Sequence, residues 1–232
     1  MPQIDIMILT NTINDKIFKM TTNAIESLIK SEDPDTFNII LIESNKNSNY
    51  EYKNVNHFIT PDSDFNYNSY LNIGAKKCEC DYSAVSNNDV LFHKNWWTSM
   101  KKAMIEHDLD TASPRSPREQ IGIMPQVEIR HRYTPESKII FGHSLVYTFC
   151  GWFWAMKKEV REWLFPLDES FTFFYQDNDI IMRLLEKECK HALVAKSKVD
   201  HFGQQSHKIL IDNGTYFKHT EKMRIHFENK YK

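Results

Sequence analysis

Ile4-Asp5-Ile6-Met7-Ile8-Leu9-Thr10 is an apolar run closed by a threonine, and a run of that length predicts a buried strand. Residues 15–30 place Ile17, Met20, Ala24, Ile25, Leu28 and Ile29 close to helical spacing, and Asp33-Pro34-Asp35 ends that pattern. Phe37-Asn38-Ile39-Ile40-Leu41-Ile42-Glu43 predicts a second strand, residues 55–60 a shorter third, and residues 69–77 a helix. The stretch 82–92 reads as a fourth strand that stops at Asn87-Asn88-Asp89 and resumes as Val90-Leu91-Phe92. Residues 93–107, with Trp96, Trp97, Met100, Ala103, Met104 and Ile105, predict another amphipathic helix. Strands and helices therefore alternate through the first half. That order predicts an α/β domain with a mostly parallel central sheet flanked by helices.

The predicted strands end in polar residues. In open α/β sheets ligands bind at the carboxyl ends of strands, so Thr10, Glu43 and Asn87 to Asp89 are expected at one shared edge. The oxygen-bearing side chains of Asn87, Asn88 and Asp89 suit a hard cation or a phosphate-bearing ligand. Taken alone, the same triplet reads equally as a polar turn. Residues 111–114 predict a brief fifth strand. Residues 115–138 show no clean periodicity and contain Pro117, Pro125 and Pro135 with Arg115, Arg118, Arg130 and Arg132. A run like that is a binding loop or lid, or a solvated surface loop.

In the second half, Gly151-Trp152-Phe153-Trp154 predicts an aromatic strand running into a helix over 158–164. Its aromatics suit a core, and they equally suit the wall of a saccharide pocket. Gln176-Asp177-Asn178-Asp179 begins a further helix, where acidic side chains complement the helix dipole. A strand ends at His201, and residues 213–232 predict a helix packed on the domain, with a lid or a homodimer contact as its other uses.

Composition narrows the class. The 232 residues suit one domain, or one domain with an appendage, and 41% hydrophobic with 26% charged residues excludes a disordered chain. Six glycines include no G-x-G-x-x-G and no G-x-x-x-x-G-K. The formal charge of -2 argues against a surface that grips nucleic acid throughout, though not against a local basic patch. Met1-Pro2-Gln3-Ile4-Asp5 lacks signal-peptide features, and no apolar run approaches a membrane span, so a cytoplasmic protein is expected. Cys78, Cys80, Cys150 and Cys189 fit neither zinc-site nor disulfide spacing and read as reduced thiols.

Asn72-Ile73-Gly74, Asn87-Asn88-Asp89, Gly151-Trp152, Asp168-Glu169-Ser170-Phe171, Gln176-Asp177-Asn178-Asp179 with Arg183-Leu184, and His201-Phe202-Gly203 with Ser206 occur in that order. This order resembles the GT-A fold glycosyltransferases, in particular family 2-like enzymes, over residues 3–207. The resemblance implies a domain over 1–207 and a C-terminal helical extension over 208–232. It implies a nucleotide-diphosphate sugar donor, with a UDP-sugar expected, and Mn²⁺ or Mg²⁺. Asn87, Asp89 and His201 are then the metal-site candidates. Thr10, Asn11, Glu43, Asn72, Asn88 and Asp89 are the donor-binding candidates, with Asp64 as a further one. Asp177 is the candidate general base of an inverting hexosyl- or pentosyltransferase, and Trp152 and Asp179 shape the acceptor side. Two departures from the family pattern stand out. Asn87 replaces a carboxylate, and Gln176 replaces the glutamate ahead of the base.

The acceptor is left open between a glycan and a hydroxymethylated base in phage-type DNA, suggested by the Asn- and Lys-rich, phage-like composition. In the DNA reading Arg115, Arg118, Arg130, Arg132, Lys218, Lys222, Arg224, Lys230 and Lys232 contact phosphates. A reading from another class is a catalytically inactive nucleotide-sugar-binding or interaction module, which Asn87 and Gln176 permit.

Overall fold

The computed structural model describes residues 2–117, 134–145, 147–172, 174–203 and 216–232. The strands are β1 (Ile4–Thr10), β2 (Phe37–Glu43), β3 (His57–Ile59), β4 (Tyr82–Asn87), β5 (Val90–Phe92), β6 (Thr111–Arg115), β7 (Ile139–Phe141), β8 (Phe153–Lys157) and β9 (His191–His201). The helices are α1 (Asp15–Ser31), α2 (Tyr67–Ala75), α3 (Trp96–Glu106), α4 (Lys158–Leu164), α5 (Gln176–Glu186) and α6 (Tyr216–Lys230).

One sheet runs β3-β2-β1-β4-β8-β6-β9-β5, with β7 paired to β9. Its first four strands are parallel, as the alternating pattern predicts. Beyond β4 the sheet is mixed: β8 is antiparallel to both β4 and β6, and β6 runs parallel to β9. Strands β1 and β4 are buried on both faces, which is why they read as continuous apolar runs rather than alternating ones. One face, with Ile4, Ile6, Ile8 and Ala84, packs under Ala24, Ile25 and Leu28 of α1 and Trp96, Trp97 and Met100 of α3. The other, with Met7, Ile40 and Val85, packs under Leu71 of α2, Leu164 of α4 and Ile180 and Leu184 of α5.

The expected fourth strand is two strands. β4 ends at Asn87, and Val90-Leu91-Phe92 crosses to pair antiparallel with Phe92↔Val199 and Val90↔His201 on β9. The polar break is therefore where the chain leaves one part of the sheet for another. α2 starts at Tyr67, two residues before the expected 69, because the Asn66 side chain caps it by accepting from the Ser69 N–H. The third strand is trimmed to three residues. β7 was not anticipated, and most of the 115–138 loop lies outside the described residues. All four cysteines are free thiols. Among the described residues, no helix is long and apolar enough to cross a membrane.

Candidate active site

β1, β2 and β4 end side by side, with Thr10 in register with Glu43 and Leu9 with Asn87. The shared polar edge expected there is present. Glu43 is fully buried, and its Oε1 accepts the backbone N–H groups of Thr12 (3.0 Å) and Asn45 (2.8 Å). Its Oε2 is buried without a partner among the described residues. Thr10 Oγ1 lies 3.2 Å from Thr12 Oγ1 and 3.0 Å from Thr21 Oγ1, and Thr12 Oγ1 lies 2.6 Å from the Tyr52 hydroxyl. Asn88 joins this group, because its Nδ2 donates to Thr10 (3.0 Å) and Thr21 (2.9 Å). Asn11 is exposed beside them, and Asp64 is exposed on the segment between β3 and α2.

Asn72, the remaining donor candidate, serves a different purpose. Its Nδ2 donates to Leu167 O (3.0 Å) and Glu169 Oε1 (2.9 Å), and its Oδ1 accepts from Leu167 N–H (2.6 Å). Both amide hydrogens are occupied, so Asn72 staples α2 to the 167–169 segment. Asn66 and Asn68 do the same through the carbonyls of Glu169 and Asp168.

Asp89 and His201 meet where β5 and β9 pair. Asp89 Oδ1 faces His201 Nε2 at 3.3 Å, and the Phe202 N–H donates to the Asp89 carbonyl (2.9 Å). Both facing atoms are buried, and among the described residues neither makes a well-aligned hydrogen bond beyond this ion pair. Burial pushes the Asp89 carboxyl up. The facing imidazole and hydrogen bonds from the backbone and Asn87 outweigh burial and hold it below its ordinary value. Asn87 sits at the end of β4, and its N–H donates to the Trp152 carbonyl (2.8 Å). The Trp152 ring stacks on the His201 ring, with centroids 4.9 Å apart and planes within 7°. Trp152, expected on the acceptor side, thus lies against the imidazole.

A carboxylate oxygen and an imidazole nitrogen left facing each other about 3 Å apart match neighbouring ligands at ~2.1 Å from one small cation. The residues therefore fit a divalent cation, with Asn87 as a weaker oxygen donor alongside. Among the described residues, no three His, Cys, Asp or Glu side chains gather for a metal.

Asp177 lies in the first turn of α5, which begins after Tyr175 in the left-handed region (φ 66°). It makes no hydrogen bond among the described residues, and burial pushes its carboxyl up to about 6. Gly151 lies directly against it. A Cβ on that glycine would stand 2.2 Å from Asp177 Oδ2. Tyr67, which the sequence did not single out, sits nearby: burial first, and the Asp177 charge second, raise its phenol above the ordinary value. The Oε1 of Gln176 is buried without a partner among the described residues.

Asp179 is 1% exposed and held by the C-terminal helix. Lys230 Nζ reaches Asp179 Oδ1 (2.5 Å) and Asp168 Oδ2 (2.7 Å), and the Tyr231 hydroxyl donates to Asp179 Oδ1 (2.7 Å). On the same helix His226 Nε2 lies 2.7 Å from Ser170 Oγ, and His219 Nε2 lies 2.9 Å from Thr172 Oγ1. The acceptor-side role expected of Asp179 thus meets a filled ion-pair site. Nothing local in the sequence links Lys230 to a carboxylate 51 residues away.

Several cations expected on phosphates are also engaged internally. Arg224 pairs with Glu221 and Glu228, Lys230 with the two aspartates, and Arg115, 7% exposed, donates to Thr134 O (2.6 Å). Arg118, Arg130 and Arg132 lie outside the described residues.

The model of the family described as glycosyl transferase family 2 matches residues 8–165. No curated protein matches the chain. Among solved structures, S. aureus TarS 1-349 superposes with a TM-score of 0.65 at 11% sequence identity. That match covers 86% of this chain and 60% of that one, so the likeness is one of fold, with this chain spanning about three fifths of its length. Asp89 and Gly151 fall inside the family match, while Asp177 and His201 lie beyond it.

Proposed function

The chain belongs to glycosyl transferase family 2, a GT-A fold glycosyltransferase family, and from that premise we propose that it moves a sugar from a nucleotide-diphosphate donor to an acceptor hydroxyl with inversion. The observation that carries this reading is Asp177. It is a carboxyl with no hydrogen bond or ion pair among the described residues, its pKa raised by burial to about 6, set against the one residue type that leaves it room. A general base works best with a pKa near the working pH. Asp177 takes the proton from the acceptor hydroxyl as that oxygen forms its bond to the anomeric carbon. The bond to the diphosphate breaks on the opposite face, which inverts the centre.

The polar edge of Thr10, Asn11 and Glu43 receives the nucleotide, and the buried, unpartnered Glu43 Oε2 is available to accept a hydrogen bond from it. Asp89 and His201, with Asn87, hold Mn²⁺ or Mg²⁺, and the imidazole favours Mn²⁺. When bound, the cation acts as a Lewis acid that neutralises charge on the departing diphosphate. Phe202 keeps Asp89 in place through its backbone, and the stapled 167–169 segment leads into the turn that carries Asp177. A UDP-sugar is the first donor to test. The first acceptor to test is a glycan hydroxyl, since Arg115, Arg224 and Lys230, three of the cations that the DNA reading needs, are engaged within the protein.

The deciding experiment is Asp177→Asn. Donor binding with Mn²⁺, followed by calorimetry, is expected to survive while transfer is lost. Transfer at the wild-type rate removes Asp177 from the role.

A further inference from the structure

We propose that Trp152 is a positioning residue for the cation site: its indole fixes the plane of the His201 imidazole so that Nε2 stays aimed at Asp89. The inference rests on Asp89 and His201 being the cation pair and adds a third residue to it. The last torsion of a histidine side chain joins an sp³ to an sp² carbon and is broad, so covalent geometry alone leaves the ring free to swing. The strand backbone does not restrict that swing either. The His201 N–H is taken by Ser116 Oγ (3.0 Å) and Val90 is its register partner, but both hold the main chain and not the ring.

What restrains the ring is the nearly parallel Trp152 face, 4.9 Å between centroids and 7° between planes. Rotation of the imidazole would drive its edge into the indole. The same residue holds the other side of the site, because its carbonyl accepts the Asn87 N–H at 2.8 Å. Trp152 thus ties β4, the start of β8 and the end of β9 together around Asp89. Groups that orient a ligand without touching the metal typically govern affinity by about 10–100-fold.

The test is Mn²⁺ titration with UDP present, with free Mn²⁺ followed by electron paramagnetic resonance, on wild type, Trp152→Leu, Trp152→Phe and Asp89→Ala. Trp152→Leu is expected to weaken Mn²⁺ about 10-fold or more while keeping its thermal melt, and Trp152→Phe to restore most of the affinity by restoring a flat ring. Bound Mn²⁺ is also expected to quench tryptophan emission in the wild type, with less quenching in Trp152→Phe at equal occupancy. Wild-type affinity in a folded Trp152→Leu, with affinity lost in Asp89→Ala, overturns the positioning role and leaves the cation pair standing. Failure of the wild type to bind Mn²⁺ overturns both. Should Trp152→Leu fail to fold, Trp152→Met takes its place: a folded Trp152→Met with Mn²⁺ affinity lowered about 10-fold supports the role, and wild-type affinity overturns it.

Discussion

A Cβ on Gly151 would stand 2.2 Å from Asp177 Oδ2 and 2.6 Å from its Cγ, so the backbone at position 151 and the Asp177 carboxylate are in direct contact. Space, and not a left-handed backbone, is what demands glycine there. The contact joins the loop before β8 to the first turn of α5. It brings the Gly-aromatic pair and an aspartate 26 residues later into contact.

The contact makes Gly151→Ala informative. The methyl group cannot fit without displacing the carboxylate. A displacement on the scale of an ångström costs about 100-fold in rate at a catalytic group. Transfer is therefore expected to fall about that far in steady-state assays, while circular dichroism and donor binding stay close to wild type.

Asp177 also predicts a pH dependence. Its carboxyl must be ionised to accept a proton and burial lifts its pKa to about 6, so kcat/KM is expected to rise as pH climbs through about 6 and then level. Asp177→Asn is expected to lower transfer by about 10² to 10⁴-fold and to erase that limb. A pH–rate profile of both proteins checks it.

Stability is expected to move the opposite way at the same residue. The folded pKa lies above the ordinary 3.8, so the folded state holds the proton more tightly than the unfolded chain does. That contribution is present below 3.8 and is lost as pH rises through about 6. Asp177→Asn is therefore expected to raise the melting temperature more at pH 8 than at pH 4, as seen by calorimetry. Greater stability with less activity is the usual signature of a residue kept for function.

The Lys230 clasp makes a separate prediction. Lys230→Met leaves Asp179, 1% exposed, without its cation. Losing one partner of a fully buried pair costs about 3–5 kcal/mol. Lys230 and Asp168 are each about a third exposed, so a loss of about 2 kcal/mol is expected by urea denaturation. Adding Asp179→Asn is expected to recover part of it. Asp168 gives the pH sign: burial pushes its carboxyl up, but Lys230 and Ser170 outweigh burial and hold it at about 2. Its stabilising share is thus present above 3.8 and is lost as pH falls toward 2.

The parallel half of the sheet was legible because β1, β2 and β4 are buried on both faces and end in polar residues, a pattern that needs no tertiary information. The shared edge of Thr10, Glu43 and Asn88 came with it. The path of the chain beyond Asn87 was not legible. Val90-Leu91-Phe92 has the composition of a strand continuing β4, and only its pairing with Val199 to His201 shows that it leaves. Asn72 carried a family-like spacing, yet its amide is consumed by a backbone 95 residues away. Trp152 read as core or as a sugar platform, since stacking on His201 depends on where β8 and β9 lie in the sheet. Lys230 and Tyr231 gave no local signal, because a long-range ion pair leaves no periodicity.

The proposed sugar transfer rests on the Asp89–His201 pair and Asp177 acting together. Its most direct measurement is nucleotide release from a panel of nucleotide sugars with Mn²⁺, with and without glycan acceptors, by wild type and Asp177→Asn. The predicted result is release from at least one donor that chelation suppresses, acceptor accelerates and Asp177→Asn loses. Binding of a nucleotide sugar with no release from any donor, with any acceptor, would contradict it and leave a binding module.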